Sequence, residues 1–573
     1  MRPARPFVVL LAACLLTPAA RAQDAAIHRA PQTAQPVFAA NGMVATQQHT
    51  ATQIGVAILA AGGNAVDAAV AVGFALAVTL PRAGNLGGGG FMLVHHAGSA
   101  TTHALDYRES APAAAHRDMF LDTRGEVDTR RARFSHASAG VPGTVAGLVL
   151  ALRRFGTMTL AQVIGPAIEL AREGIVVDRD LGDSLQAAAA RLARNPAAAR
   201  IFLRPDGRAL QAGDRLVQSE LADSLQRIAA EGTHAFYNGE IARRIAADMH
   251  AHGGLITLQD LAAYEAKLRA PVFGTYRGHV IASMPPPSSG GVHLIQILNI
   301  LEGFPLGFLG HNGADTIHLL AESMKLAYAD RGKHLGDADF TPVPVEGLIA
   351  KRYADALRER IDLDRARPAT AIAPGDPLAY ESADTTHFSI MDAAGNVVAN
   401  TYTINFSYGA GIVAEGTGIL LNNEMDDFSA KPGVPNAYGL RGGEANAIEP
   451  GKRPLSSMTP TIVFRNARPL LATGSPGGSR IITTTAQVIM NVIDHGMGLA
   501  DALAAPRIHH QWLPDELRVE RGISPDTIAL LRERGHEVML RNAMGSANSV
   551  LRLDDGFAGA ADPRRAGASA AGY

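Results

Sequence analysis

Residues 381–405 read ESADTTHFSIMDAAGNVVANTYTIN, and the order of residue types in them points to the fold class. From Thr386 the chain alternates, with Thr386, Phe388 and Ile390 on one face and His387 and Ser389 on the other, which is the period-two pattern of a strand. Asp392-Ala393-Ala394-Gly395 then forms a hairpin turn in which glycine supplies a positive φ, and Asn396 to Asn405 is the returning strand. Upstream, Asp384 closes a polar segment that starts near Pro374, so Thr385 stands at a loop-to-strand junction. A threonine hydroxyl is a weak nucleophile without a base. If the peptide bond before Thr385 were cut, its own α-amine, with an ordinary pKa of about 7.7–8.0, could take the proton. Two adjacent threonines are equally ordinary strand residues, and these residues alone leave both readings open.

Further out, Phe91 to His95, Val280 to Ser283, Thr461 to Phe464 and Ser549 to Leu553 are short strand-like runs, mostly bounded by Gly, Pro, Asn or Asp. Residues 46–80 show two small-residue helical patterns broken at Gly62-Gly63, apolar nearly all round and therefore buried. Helical spacing recurs at 143–172, 180–200, 216–230, 238–252, 292–302 and 314–335, while the tail from Gly556 resembles a frayed terminus. Helices mixed with antiparallel hairpins predict an α+β layered fold.

At 573 residues the chain exceeds the roughly 250–300 residues at which one core stops growing, so two domains or one large layered domain is expected. A formal net charge of -2 with 18% charged residues lacks the basic excess of a polyanion binder, which excludes nucleic acid as a partner. Arg2 and Arg5, the apolar run Phe7–Leu16 and the small-x-small Ala20-Arg21-Ala22 make residues 1–22 a secretory signal peptide. The run is far shorter than the roughly 20 residues that span a bilayer, and no stable membrane span is expected elsewhere. The predicted location is secreted, either periplasmic or extracellular. Cys14, the only cysteine, could instead mark a lipoprotein processing site, but the apolar run continues past it. Cleavage before Gln23 leaves no cysteine, and with it no disulfide, thiol nucleophile or cysteine metal site. Any nucleophile must then be a hydroxyl.

The segment Thr385–Ser429, KRPLSSMTP at 452–460 and GSPGGSRI at 474–481 resembles the γ-glutamyltransferase (γ-glutamyltranspeptidase) family. GNLGGGGFM at 84–92, LDYRESAP at 105–112, GVPGTVAGL at 140–148 and MPPPSSGG at 284–291 extend the resemblance over nearly all of the chain after residue 22. It implies an N-terminal-nucleophile hydrolase with a four-layer αββα sandwich. The precursor would cut itself between Asp384 and Thr385 into a large subunit, 23–384, and a small one, 385–573, which stay together as one intertwined catalytic domain. Carried over residue by residue, the resemblance makes Thr385 the nucleophile, Thr403 the hydroxyl that orients it, and the backbone amides of Gly477 and Gly478 the oxyanion donors. Arg108, Ser456 and Ser457 would hold the substrate's α-carboxylate; Asn405, Glu424 and Asp427 would hold its α-ammonium. Tyr438 would stand at the pocket wall, in a lid loop over 435–452. Glu424 replaces the glutamine of other members. The implied reaction moves the γ-glutamyl group of glutathione and related amides to water, amino acids or dipeptides through a Thr385 ester, with no cofactor and no metal.

Two other functions compete. One is a glutaryl-cephalosporin acylase-like amidase, whose substrate lacks the ammonium that Asn405, Glu424 and Asp427 would grip. The other is a non-catalytic secreted binding protein, which an intact Thr385 argues against. Individual residues also have bland readings. Arg108 could be a surface arginine, Asn405-Phe406-Ser407 an accidental glycosylation sequon, Gly87–Gly90 a tight turn and not a phosphate cradle, His509-His510 packing and not metal ligation, and Asp426-Asp427 a solvated turn.

Overall fold

The computed structural model describes residues 35–375, 386–431, 433, 434, 440, 443–541 and 543–573. The segment read as a signal peptide, with Cys14, the Asp384–Thr385 junction, and Tyr438 with part of its loop lie outside the described residues.

The hairpin forms with the expected pairing. Thr386–Asp392 runs antiparallel to Val397–Thr403, with Thr386 opposite Tyr402 and Met391 opposite Val397. Gly395 has φ 93°, and the Asp392 carboxylate accepts from the Asn396 amide at 2.9 Å and from the Ala65 amide at 2.9 Å, tying the turn to a helix start. Every residue of both strands is buried. The reason is that the hairpin lies in the middle of a sheet covered on both sides. Phe388 and Ile390 join a core shared with helices His49–Ala60, Ala65–Thr79 and Thr144–Phe155. Met391 points to the opposite face, into a core shared with a second sheet. There the polar alternates are satisfied: His387 bonds Thr401 at 2.8 Å and Ser389 at 2.9 Å, and Ser389 donates to the Asn548 carbonyl of the other sheet at 2.9 Å.

Two seven-stranded sheets face each other. In one, Ser569–Gly572, Gly42–Thr46, Thr386–Asp392, Val397–Thr403, Gly89–His96, Thr101–Tyr107 and Lys267–Arg269 follow in that spatial order. In the other the order is Val37–Ala39, Gly556–Ala561, Asn548–Leu553, Arg468–Thr473, Thr461–Arg465, His279–Ser283, Val272–Tyr276. The outer face of the second sheet packs on helices Gly290–Leu301, Ala314–His334 and Arg480–Ile493. Helix, sheet, sheet, helix is the four-layer αββα sandwich.

The early helices follow the predicted pattern. Asn64 and Asp67 form a capping box, and all of Ala65–Thr79 is buried. Other boundaries differ. Residues 143–172 divide into Thr144–Phe155 and Leu160–Glu173, because Thr159 caps the second helix with Gln162. Residues 180–200 divide into Arg179–Leu192 and Pro196–Phe202, with Asn195 as the cap and Pro196 in the first turn. The tail is not frayed: Gly556–Ala561 and Ser569–Gly572 each add a strand, one to each sheet. The four glycines 87–90 pack against neighbouring backbone. A Cβ on Gly88 would fall 2.0 Å from the Thr403 carbonyl oxygen, so this is close packing and not a phosphate cradle.

Candidate active site

The ends of the central strands place the candidate residues. Thr403 ends its strand opposite Gly89, one register step beyond the Thr386–Tyr402 pair. Its hydroxyl accepts from the Asn405 amide at 2.8 Å, and Thr386 donates to the Gln47 side chain at 2.8 Å. Asn405 lies just past the strand with φ 68°, a left-handed turn that asparagine tolerates. Buried there, it donates Nδ2 to the Asn423 carbonyl at 2.9 Å, which makes the sequon a coincidence. Gly477 and Gly478 have φ 135° and 62°, a turn that only glycine adopts freely, directly before helix Arg480–Ile493. Successive amides at a helix start suit an anion. Gln47, Asn405 and Gly477 together line a cavity of about 210 Å³.

Arg108 is not a surface arginine. It is 1% exposed, and its Nε donates to the Pro454 carbonyl at 3.1 Å. Nη1 stands 2.7 Å from Glu424 and 3.3 Å from Glu109, and Nη2 bonds Asp427. The short turn Glu424–Asp427 is buried as well, contrary to a solvated-turn reading. The family resemblance divided these groups between a carboxylate and an ammonium of the ligand. The structure makes them one cluster, in which three buried carboxylates surround one guanidinium. Burial would lower the arginine's pKa, but Glu424, Glu109 and Asp427 outweigh it and hold the guanidinium charged. Burial first, then the charge of Glu424, pushes the carboxyls of Glu109 and Asp427 well above the ordinary range despite Arg108. Glu109 Oε1, Glu424 Oε1 and Asp427 Oδ1 are buried and accept no hydrogen bond among the described residues. Buried acids with orphaned acceptors, whose ionised forms lack sufficient partners, suit a cation.

Ser456 and Ser457 follow Pro454, whose carbonyl accepts from Arg108, on the loop after Lys452. Asn446 joins the two, donating to the Asp427 carbonyl at 2.8 Å and accepting from the Leu455 amide at 3.0 Å. Ser457 Oγ accepts from buried Arg331 at 2.5 Å. Sequence reasoning missed Glu109, Arg331, Asn423 and Asn446 as members of the site. Glu109 could have been found, since it adjoins Arg108, while the others carry no local signal.

The histidine pair at 509–510 is packing. His509 bonds Thr483 at 2.9 Å, and His510 lies 3.3 Å from Asp515. Two other groups, His136–Asp248–His252 and His318–Glu322–His536, bring potential ligand atoms within 4.8 Å of one another, but neither includes a residue of the Arg108 cluster.

A family model described as Gamma-glutamyltranspeptidase matches residues 51–572. The glutathione hydrolase proenzyme of Escherichia coli (strain K12) is 55% identical over 539 residues, covering 94% of this chain and 93% of its own. The acylase ACY 1 proenzyme of Pseudomonas sp. (strain V22) is 42% identical over 530 residues, covering 91% of this chain and 92% of its own. Among solved structures, the cephalosporin acylase from Bacillus halodurans matches with a TM-score of 0.86 at 30% identity, covering 95% of this chain and 98% of that one.

Proposed function

The chain belongs to the gamma-glutamyltranspeptidase family, and from that premise we propose that it hydrolyses glutathione and transfers the γ-glutamyl group of glutathione and related amides to water, amino acids or dipeptides. It is an enzyme of the N-terminal-nucleophile hydrolase class. In the proposed reaction the Thr385 hydroxyl attacks the γ-carbonyl carbon and passes its proton to the Thr385 α-amine, with Thr403 orienting the nucleophile. The carbonyl oxygen, now negative, takes hydrogen bonds from the Gly477 and Gly478 amides, each worth about 3–4 kcal/mol of barrier. The intermediate collapses with loss of the amine, which leaves carrying the proton from the α-amine. Water or an amino group then attacks the γ-glutamyl ester, its proton returns through the same amine, and Thr385 is restored.

The observation that carries this reading is the charge imbalance around Arg108. Both a γ-glutamyl and a glutaryl group could use the nucleophile, but only the first brings an α-ammonium to the orphaned oxygens of Glu109, Glu424 and Asp427. Arg108 and Arg331, with Ser456 and Ser457 between them, would take the α-carboxylate. Tyr438 is proposed at the pocket wall. This favours the transferase over the acylase, although acylases also stand among the similar proteins.

Maturation is part of the proposal: cleavage before Thr385 gives chains 23–384 and 385–573 that remain one particle. The signal at residues 1–22 supports export to the periplasm or beyond, and no helix among the described residues is long and apolar enough to cross a membrane. The test pairs mass spectrometry of the purified protein with specificity constants for γ-glutamyl-p-nitroanilide and glutaryl-p-nitroanilide. Two chains with those ends and a preference for the γ-glutamyl compound are expected. Thr385→Ala should leave one uncut, inactive chain. A preference for the glutaryl compound would promote the acylase.

A further inference from the structure

The cavity beside Gly477 and Asn405 has one wall that the roles above do not use, and it carries four arginines: Arg82, Arg480, Arg564 and Arg565. Such a concentration of like charge needs counterions, and acids supply them for three of the four. Arg82 pairs with Asp180 at 2.5 Å, and Arg565 lies 3.8 Å from the same carboxylate. Arg564 pairs with Glu520 at 2.5 Å and with Asp562 at 3.1 Å. Arg480 differs. Its Nε donates to the Gly477 carbonyl at 2.9 Å, which fixes the guanidinium beside the glycine turn, while Nη1 and Nη2 make no hydrogen bond or ion pair among the described residues. The side chain is half-buried at the start of its helix, anchored at one end and open at the other.

A fixed guanidinium that presents its outer fork to a cavity matches a carboxylate. We propose that Arg480 receives the C-terminal carboxylate of the peptide that lies beyond the scissile bond: the leaving cysteinylglycine of glutathione, or the acceptor peptide in transfer. The inference rests on the γ-glutamyl reading above, which sends the glutamyl head toward Arg108 and the rest of the substrate toward this wall. Two residues of extended chain reach about 7 Å. Arg480 is tethered to the carbonyl of Gly477, the proposed oxyanion donor, so its fork stands close to the reacting end of such a peptide. A substrate ending in an amide or an aromatic amine offers the fork no charge.

The test compares specificity constants for glutathione and for glutathione amidated at its glycine carboxylate, in the mature wild type, Arg480→Gln and Arg480→Lys. The wild type should favour the free acid by about tenfold or more. Arg480→Lys should keep part of that preference, and Arg480→Gln should bring the ratio near one. A second arm uses γ-glutamyl-p-nitroanilide as donor with glycylglycine or glycylglycinamide as acceptor. An acid preference only in the first arm assigns the fork to the leaving peptide, and one only in the second assigns it to the acceptor. Equal use of acid and amide by the wild type in both arms overturns the proposal without recourse to any variant. An Arg480→Gln enzyme that keeps the wild-type ratio overturns it too. A wild type that turns over none of the γ-glutamyl compounds overturns the underlying reaction instead.

Discussion

The cluster of Arg507, Asp562, Glu520 and partly exposed Arg564 and the fully buried cluster of Arg108, Glu109, Glu424 and Asp427 each gather four ionisable side chains, but only the first is balanced. Two cations meet two anions there, and backbone groups complete the shells. Arg507 donates to the Met544 carbonyl at 2.7 Å and the Leu503 carbonyl at 2.8 Å, and Asp562 accepts from the Ala547 amide at 2.9 Å. None of its side-chain polar atoms is left without a hydrogen bond. Around Arg108, three acids share one guanidinium and three carboxylate oxygens lack donors. The difference teaches how to tell a structural buried charge from a functional one. Balance and saturation stabilise a fold, whereas a deficit that the fold tolerates is a vacancy for a ligand.

The largest effect that can break this comparison lies in the balanced cluster. Arg507→Ala takes the closer of its two guanidiniums from buried Asp562 and should destabilise the protein by about 3–5 kcal/mol. Urea unfolding in the Thr385→Ala background, where the chain stays in one piece, measures it. A loss below 1 kcal/mol would mean that saturation does not mark a structural cluster here.

Asp427→Asn should behave in the opposite way. Asparagine has the shape of the protonated acid that the ligand-free protein favours, so that protein should be as stable as the parent or more so. The specificity constant for γ-glutamyl-p-nitroanilide should fall by about 2–4 kcal/mol while that for glutaryl-p-nitroanilide holds or rises. Equal loss on both donors would remove Asp427 from ammonium recognition.

The smallest expected effect is in pH. Burial raises the Glu109 and Asp427 carboxyls, so their protonated forms favour the folded, ligand-free state. That stability is present at low pH and is lost as pH rises through the raised values. A ligand ammonium needs the ionised acids, so the melting-temperature increment from L-glutamate should grow as pH rises from the ordinary carboxylate range toward neutrality. Glutarate, which has no ammonium, should show no such growth. A difference of about 2–4 °C between the two is within reach of scanning fluorimetry. Parallel curves would contradict the vacancy.

The hairpin and the two early helices were legible because their signals are local: alternation from Thr386, the turn ending in Gly395, and the break at Gly62-Gly63. The two C-terminal strands were not. GFAGAA and SAAG hold no β-branched residue and only one aromatic, and they become strands through pairing with Asn548–Leu553 and Gly42–Thr46. Helix Arg480–Ile493 was hidden for a related reason, since Ile481-Ile482-Thr483-Thr484-Thr485 carries strand-like residue types into a helix. In the site, the family resemblance gave Arg108, Glu424 and Asp427, but it did not give their mutual contact. Arg108 and Asp427 are 319 positions apart, and nothing in either segment encodes the other.

Each sheet draws strands from both sides of the proposed cut before Thr385. In one, Gly42–Thr46 lies between Ser569–Gly572 and Thr386–Asp392; in the other, His279–Ser283 pairs with Thr461–Arg465. Before cleavage these halves find each other as parts of one chain, at the high effective concentration that a tether maintains. After cleavage the same pairing is a meeting of two molecules. Folding is thus made easy once and then made hard to repeat. The uncut chain should regain its structure at any dilution, while recovery of the mature particle from denaturant should fall as it is diluted, and its working lifetime becomes a matter of how slowly it first comes apart.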